Sequence, residues 1–592
     1  MASIFKRPRR VAQLGRNGFD MSQRHTFSCP VGMLLPTYTD FANPGDKYKL
    51  NSRAFIRTQP LESAAFLRMK AHLDWFFVPI TQIYSLWNEF YNMTNDVMSS
   101  IYTAAPKSTL PLAPLAPLAT PFGSLGFTQR IAGQTALSVD EFGVPLAWNA
   151  RRLLTMLYGA QIFGETQPQD TSSFLSLCAY HKIFHSHYRN TDYTSNNPDS
   201  YSLDRWYSTT PDLPTLSQAG FFKIHYRPFR RDMYTMIQPA PVFGNAFESF
   251  LSGSLADPSS AVESFFPEAS ANNFVKVYNP TQFSSSGSSF NSGIKTPALN
   301  IHYSSSQGFF SAGDIRAMFA LDKLFRITAQ TGSHYDEQTL AHFGYKMPQG
   351  IADEAYYLGE QVTDININEV VATATTGVKE AGGVIGDIAG KGFGYTNNSD
   401  DINFTCPCHG IIMAIWSIEP IPDYRNTGDV TANYRNSFDF YHPEFDNIGM
   451  QPYGFAPNFI SSNIPGWQYR YMQHKTKLDI VDESVYGTSL NSWQATRDDI
   501  YSHGSADDLR DIPLSARFYI YPQYTNSIFL LNMPTYSGSN YTDILIPAES
   551  PQDWSNPLLL PTKIYSYDNF ICVVEHKAFK TSCMSTYSLP KM

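Results

Sequence analysis

Between Arg68 and Tyr91 the chain reads RMKAHLDWFFVPITQIYSLWNEFY, and the first half of that stretch alternates strictly. Met69, Ala71, Leu73 and Trp75 fall on one face, with Lys70, His72, Asp74 and Phe76 opposite. A period of two, carried by aromatic residues, predicts a β-strand with one face in a core and a less apolar face opposite. Pro79 has no N–H to give a ladder, so the strand should stop there or turn along a sheet edge. Ile83, Trp87 and Phe90 then recur at helical spacing and predict a short amphipathic helix beside the strand's end.

Other segments carry the same signature. TFSCPVGMLLPTYTDFANPGDKYKLNSRAFIRT reads as two strands joined by a turn at Asn43-Pro44-Gly45-Asp46. Gln361 to Ala374 alternates and is rich in β-branched residues. Asn403 to Glu419 ends in an apolar strand after a Gly turn, and Asn569 to Leu589 supplies the last strand or pair. Helices are predicted over Trp148–Phe163, with Gly164 as the stop, and over Phe174–Tyr188. A third is predicted from Ser311 to Gly332, with Ser311 as cap; its apolar residues on several faces suggest that it is largely buried.

Between these segments lie long connections. Leu110 to Pro121 is a Pro/Leu/Ala repeat that favours polyproline II and reads as a semi-rigid surface link. Leu251 to Ser306 is Ser-, Gly- and Asn-rich and lacks the periodicity to build a core, so a long exposed loop or protrusion is expected. Gly377 to Gly394 reads as a glycine-rich loop, and Tyr424 to Leu560 as a turn-rich, aromatic excursion that returns to the core. Strands separated by insertions larger than themselves describe a β-sandwich with overgrown loops. The domain reading is a basic arm over residues 1–24 and one sandwich domain over 25–592. Its insertions span about 92–310, including 251–306, and about 424–560.

Composition narrows the class. Of 592 residues only 16% are charged while 15% are aromatic, which fits a surface partly covered by neighbouring subunits, since interfaces favour aromatics and deplete Lys and Glu. A net charge of −9 excludes a polycation built to coat nucleic acid. Basic charge gathers instead at the start, where Lys6, Arg7, Arg9, Arg10 and Arg16 precede any acidic residue. Those five are the candidate DNA-contacting residues, on an arm whose Pro8 and Gly15 resist helix formation. Six cysteines are too sparse for a disulfide scaffold and read as reduced thiols. No apolar run is long enough for a membrane span, and no apolar segment follows the N-terminal basic residues as a secretory signal requires, so assembly in a cytoplasm is expected.

Catalytic and metal motifs do not hold up. His181 and His185 have an i, i+4 spacing, but no Glu follows His181 and neither His187 nor another group stands out as a third ligand; packed or interfacial histidines are the plainer reading. Gly386-Asp-Ile-Ala-Gly390-Lys391 sets its glycines one residue too close for a phosphate loop, and Gly392 follows the lysine. Cys406 and Cys408 have one residue between them, unlike the common zinc knuckle. Adjacent acids such as Asp353-Glu354 and Asp498-Asp499 would point to opposite faces of a strand, unlike a glycosidase pair. No catalytic residue, metal or cofactor is assigned. The alternatives to a structural protein are a carbohydrate-active β-rich hydrolase and a phage adhesin.

Several stretches, in one order, resemble the microvirus major capsid protein, the F protein of small single-stranded-DNA phages. They are FFVPITQIYSLWNEF, YHKIFHSHYR at Tyr180, HFGYKMP, YLGEQVTDININEVVATA, CHGIIMAIWSIEP and WQYRYM at Trp467. HFGYKMP is close to the gokushovirus version. The resemblance implies an eight-stranded viral jelly roll and self-assembly of sixty copies, through pentamers, into a T=1 icosahedral shell around circular single-stranded DNA. It implies as partners a small basic packaging protein, other minor virion proteins and a host-surface receptor, and as location the virion, assembled in the host bacterial cytoplasm. The Leu251–Ser306 region has no counterpart in that pattern, and it or the Pro-rich stretch would supply the family's threefold surface protrusion.

Overall fold

The computed structural model describes residues 15–92, 112–114, 140–142, 144, 146–159, 171–204, 220–239, 312–331, 334–347, 353–371, 388–396, 400–425, 431, 434–446, 449–452, 467–486, 488, 490–497, 518–530 and 568–587. Its strands are β1 (Asn17–Asp20), β2 (Gln23–Cys29), β3 (Leu35–Ala42), β4 (Lys47–Thr58), β5 (Met69–Pro79), β6 (Leu112–Pro114), β7 (Thr171–Ser173), β8 (Tyr356–Val371), β9 (Ile388–Tyr395), β10 (Ile402–Thr405), β11 (Gly410–Pro420), β12 (Asp423–Tyr424), β13 (Met450–Pro452), β14 (Trp467–Tyr469), β15 (Thr496–Arg497) and β16 (Phe570–Ser582). The described residues fall into two compact units. One comprises Met1–Thr235, Asp353–Thr427 and Leu478–Met592, and the other Met236–Ala352 and Gly428–Lys477.

The first unit is built on one antiparallel sheet ordered β1-β16-β4-β9-β8-β5-β11-β3, with β10 added beside β4 and β2 beside β16. The sheet curls until its two halves face each other, giving the expected mainly β, jelly-roll class. The rings of Tyr38 on β3 and Trp75 on β5 each meet that of His576 on β16 with centroids 5.4 Å apart, although β16 lies far from both strands in the sheet order. Phe27 of β2 meets Trp416 of β11 at 5.9 Å across the same interior, and His25 Nδ1 lies 3.0 Å from the Thr37 carbonyl, drawing β2 towards β3.

Two of the corners where the chain passes from one half to the other, between β3 and β4 and between β10 and β11, hold each other. The Gly45 N–H donates to the Cys406 carbonyl at 2.7 Å, and the Cys406 N–H returns a bond to the Asp46 carbonyl at 2.8 Å. Gly45 adopts φ +79°, which the turn requires and a side chain would oppose. Asp46 accepts from the Asn43 N–H at 3.0 Å, completing the turn predicted there.

β5 stops at Pro79 as expected, and the helix that follows runs Trp87–Asn92. β5 is not an edge strand: β11 and β8 flank it along nearly its whole length. Its second face is not exposed either. A layer made of the helix Leu175–Ile183, a π-helical turn Phe184–Tyr188 and the segment around Arg227 covers it. Phe76 packs on His187 and Tyr188, while Asp74 accepts from the Tyr188 hydroxyl and, at 2.8 Å, from Arg227 Nη1. The alternation marked polarity, and the insertion decided burial.

Four further expectations change. The predicted Gly377–Gly394 loop becomes strand from Ile388 onward, because Gly390, Gly392 and Gly394 lie where a Cβ would meet the Ser63 carbonyl, the Thr58 side chain and the Asp364 carbonyl. The first predicted helix runs Leu146–Tyr158 and stops at Gly159, with φ +83°, before Gly164. The helix Ala312–Gln330 forms in the second unit but is not largely buried: Phe319 is 71% exposed. It pairs with the short helix Tyr335–Phe343, which has no buried residue of its own, so among the described residues no apolar layer covers either. Of the Pro/Leu/Ala repeat, Leu112–Pro114 pairs as strand with β7. The remainder of that repeat, the Leu251–Ser306 loop, the cap Ser311 and the stops Gly164 and Gly332 lie outside the described residues.

A buried ion pair ties the helix Leu146–Tyr158 to the start of β16. Arg152 Nη2 donates to Asp568 Oδ2 at 2.6 Å, and Ser28 Oγ donates to the same oxygen at 2.7 Å. Asp568→Ala takes the carboxylate away from a buried guanidinium and should cost the isolated subunit about 3–5 kcal/mol in urea unfolding. Replacing Arg152 by Met and Asp568 by Leu together should recover most of that loss, and an unchanged midpoint for D568A would contradict the pairing.

Candidate functional site

Among the described residues, the outward face of the β16–β4–β9 half carries no covering layer, and alternation loads it with cations. On β4 the inward residues are Tyr48, Leu50, Ser52, Ala54 and Ile56, and the exposed ones include Lys47, Lys49, Arg53 and Arg57. β16 adds exposed Lys577 and Phe579, β9 adds Lys391, Phe393 and Tyr395, and β2 adds Arg24. The register interleaves charges with rings: Lys49 stands opposite Phe579, Arg57 opposite Phe393 and Phe55 opposite Tyr395. The Arg57 guanidinium sits 5.0 Å from the centre of the Phe55 ring. Acidic neighbours compensate part of the charge, with Asp401 2.8 Å from Lys49 Nζ and Glu575 opposite Arg53. Cations on a twisted sheet with exposed rings between them can contact phosphates and stack on unpaired bases, two interactions that need no particular sequence.

Of the five candidate arm residues, Arg16 is described. It is exposed at the foot of β1 and its Nη1 donates to the Gly45 carbonyl, so it stands beside the turn that leads into Lys47. Lys6, Arg7, Arg9 and Arg10 lie outside the described residues. The β4 cations were legible in the sequence, since KYKLNSRAFIR places Lys47, Lys49, Arg53 and Arg57 on one face of an alternating strand. The signal that marks them is charge at strand spacing, not the density of charge along the chain.

The histidines singled out by spacing are held by packing. His181 Nε2 donates to the Phe221 carbonyl at 2.8 Å, so its Nδ1 accepts from His225 Nε2, also at 2.8 Å. The His225 ring stacks on Phe184 at 3.6 Å, His187 Nε2 donates to the Ala355 carbonyl at 2.6 Å, and His185 Nε2 lies 3.2 Å from Ser200 Oγ. A cavity of about 300 Å³ opens beside them, where Lys223 Nζ meets Glu141 Oε2 at 2.8 Å, so its charges already compensate each other. Burial pushes His181 down to about 4 and His185 down to about 3. His576, enclosed in the sandwich, is pushed down to about 3, again by burial. Asp140 goes the other way: burial raises it to about 6 against the hydrogen bonds from Tyr226 and from the Phe142 and Val144 N–H groups.

A family described as capsid protein (F protein) matches residues 10–142 and 163–503 of this chain. The capsid protein VP1 of Chlamydia phage 1 is 22% identical over 560 residues, covering 82% of this chain and 87% of that protein.

The buried histidines fix the sign of an acid response. Unfolded, they take up protons near pH 6.5; folded, they resist until about pH 3–4, so the unfolded chain binds more protons in between. Stability should therefore fall as pH drops below about 6.5, by about 1.4 kcal/mol per pH unit for each histidine. Asp140 acts in reverse, because its raised pKa makes the folded state bind the extra proton between about pH 6 and 4. With several histidines against one carboxyl, the urea midpoint of the subunit should drop from pH 7 to pH 5. Removing one buried titration with His576→Phe and Ser52→Ala should make that drop shallower, and an equally steep drop would show that His576 does not contribute.

Proposed function

Because the chain belongs to the capsid protein (F protein) family, we propose that it is a major capsid protein of a small phage. Sixty copies assemble through pentamers into a T=1 shell that encloses circular single-stranded DNA. The observation that carries the reading beyond the family is the uncovered basic face of β4, β16 and β9. A subunit whose net charge is −9 has to meet a polyanion through local patches, and that face is where described cations gather on one regular surface. In this reading it faces the genome together with the arm residues Lys6, Arg7, Arg9, Arg10 and Arg16, and a small basic packaging protein shares the neutralisation. The exposed apolar hairpin of Ala312–Gln330 and Tyr335–Phe343 is covered by neighbouring copies, since Phe343 at 82% exposure would otherwise be left to water. The outer protrusion, and with it the contact to the host surface, is assigned to Leu251–Ser306 or to the Pro-rich stretch Leu110–Pro121.

Expression with the genome should give closed shells visible by cryo-electron microscopy, containing nuclease-protected DNA. Elongated trimers would support an adhesin instead, and lasting monomers a hydrolase. Arg53→Ala with Arg57→Ala should lower DNA content and flatten the salt dependence of single-strand binding by roughly 0.7 in slope for each phosphate left unneutralised. The quadruple Lys6, Arg7, Arg9 and Arg10 to Ala variant should act in the same direction, and empty shells should still form in both. If both variants package DNA at the normal level, neither surface meets the genome. Phe343→Ser should weaken assembly while leaving the isolated subunit folded; shells of undiminished yield would exclude the hairpin as a contact.

A further inference from the structure

The covered half of the sheet holds a second cluster, on the outer face of β5, β8 and β11. Asp74 and Glu360 are direct cross-strand partners, an arrangement in which two carboxylates repel. Glu419 on β11 is the third acid nearby. Arg227 answers part of this charge, with Nη1 2.8 Å from Asp74 Oδ2 and Nε 3.8 Å from Glu419 Oε2. Lys70 is turned to Asp364 at 3.9 Å. Arg227 thus meets two of the three carboxylates, and His72 lies between Glu419 and Glu360.

His72 is 8% exposed and set between the two glutamates. Its Nε2 lies 2.8 Å from Glu419 Oε2 and its Nδ1 3.7 Å from Glu360 Oε2, and neither buried nitrogen makes a hydrogen bond. With Glu419 behind Nε2, Nδ1 is the ring nitrogen that stands beside Glu360 and can meet a cation there. A carboxylate behind a histidine, fixing the tautomer and raising the basicity of the far nitrogen, is the support that metal-binding histidines use. Asp74 is held in the same way, because Tyr188 and Arg227 both donate to its Oδ2. One ligand atom each from His72, Asp74 and Glu360 lies within 4.8 Å of the others. Glu360 is 47% exposed, so its side chain can swing to close the shell and solvent can reach the site.

We infer that His72, Asp74 and Glu360 bind a divalent cation of the zinc or manganese class, with Glu419, Tyr188 and Arg227 positioning the ligands. One imidazole nitrogen with two carboxylates suits a borderline cation, whereas calcium and magnesium take oxygen donors. The bound ion replaces the repulsion between Asp74 and Glu360 with a shared ligand and clamps β5 to β8.

The test uses chelator-dialysed full-length protein and zinc ion alone. Equilibrium dialysis at micromolar free zinc should show about one equivalent per chain that Glu360→Gln removes or weakens at least tenfold. Asp364→Asn, on the same face of β8 but outside the ligand set, should keep it. Zinc should raise the urea midpoint of the wild type and of D364N and leave that of E360Q unchanged. Because E360Q relieves a like-charge pair, its midpoint without metal should not fall, so lost binding cannot be ascribed to unfolding. His72→Gln should abolish the same equivalent. Zinc uptake that is absent, or equal in wild type and E360Q, overturns the site and leaves a metal-free ion-pair network. Calcium uptake in preference to zinc overturns the ligand class.

Discussion

Asp74 is a carboxylate almost wholly removed from water in the middle of the sheet, and a buried charge of that kind survives only when other groups are brought to it. The groups that answer it come from the insertion: the Tyr188 hydroxyl from the π-helical turn and the Arg227 guanidinium from the segment that follows. Arg227 reaches Ser417 on β11 as well, at 3.0 Å, so one guanidinium joins the outer layer to two central strands. The layer is therefore fastened to the sheet by polar contacts with fixed geometry as well as by the Phe76 packing around them. Losing either donor would leave the buried Asp74 carboxylate with one hydrogen bond fewer and no water to replace it, which is why the two layers are expected to form together.

This asymmetry separates the two halves of the curled sheet. Around β5 and β11 both faces are buried, and the outer one holds a charge cluster whose members are committed to each other. Around β4, β9 and β16 the outer face is open, and its cations have solvent on one side. Curling makes the difference possible: the interior is filled from both halves by Tyr38, Trp75, Trp416 and His576, so neither half needs a second layer to bury its inward residues. Where a layer is present it serves the scaffold, and where it is missing, among the described residues, a regular charged surface stays open to solvent.

A low content of charge and a high content of aromatic residues fits the same division. Aromatic side chains are absorbed in part by the first unit, where rings from the insertions pack in pairs such as Phe142 with Tyr226 and Tyr193 with Phe518. In the second unit they remain in water on the described helices. A chain that leaves Phe319 and Phe343 uncovered within one subunit carries apolar surface that a shell of identical subunits can bury.

Strands whose side chains alternate, and turns whose backbone demands glycine, can be read from the residues alone. β5, β11, β16 and the Asn43–Asp46 turn are legible because period and turn chemistry are local properties. The cations of β4 belong with them, since their spacing assigns them to one face of a strand. Which face is covered depends on distant parts of the chain. Lys70, His72 and Asp74 look like a solvent face, yet residues more than a hundred positions further along close over Asp74. The same holds for β9, which reads as a loop because glycine is poor in strands; close approach to the Ser63 carbonyl and to Thr58 is what selects it. The helix Ala312–Gln330 fails in the opposite sense: its periodicity is plain, but burial needs a neighbour, and no local pattern says whether that neighbour belongs to the same chain. The gathering of His72, Asp74, Glu360 and Glu419 is invisible in the sequence for the same reason, because pairing register, set by the whole sheet, places residues from three distant strands within reach of one another.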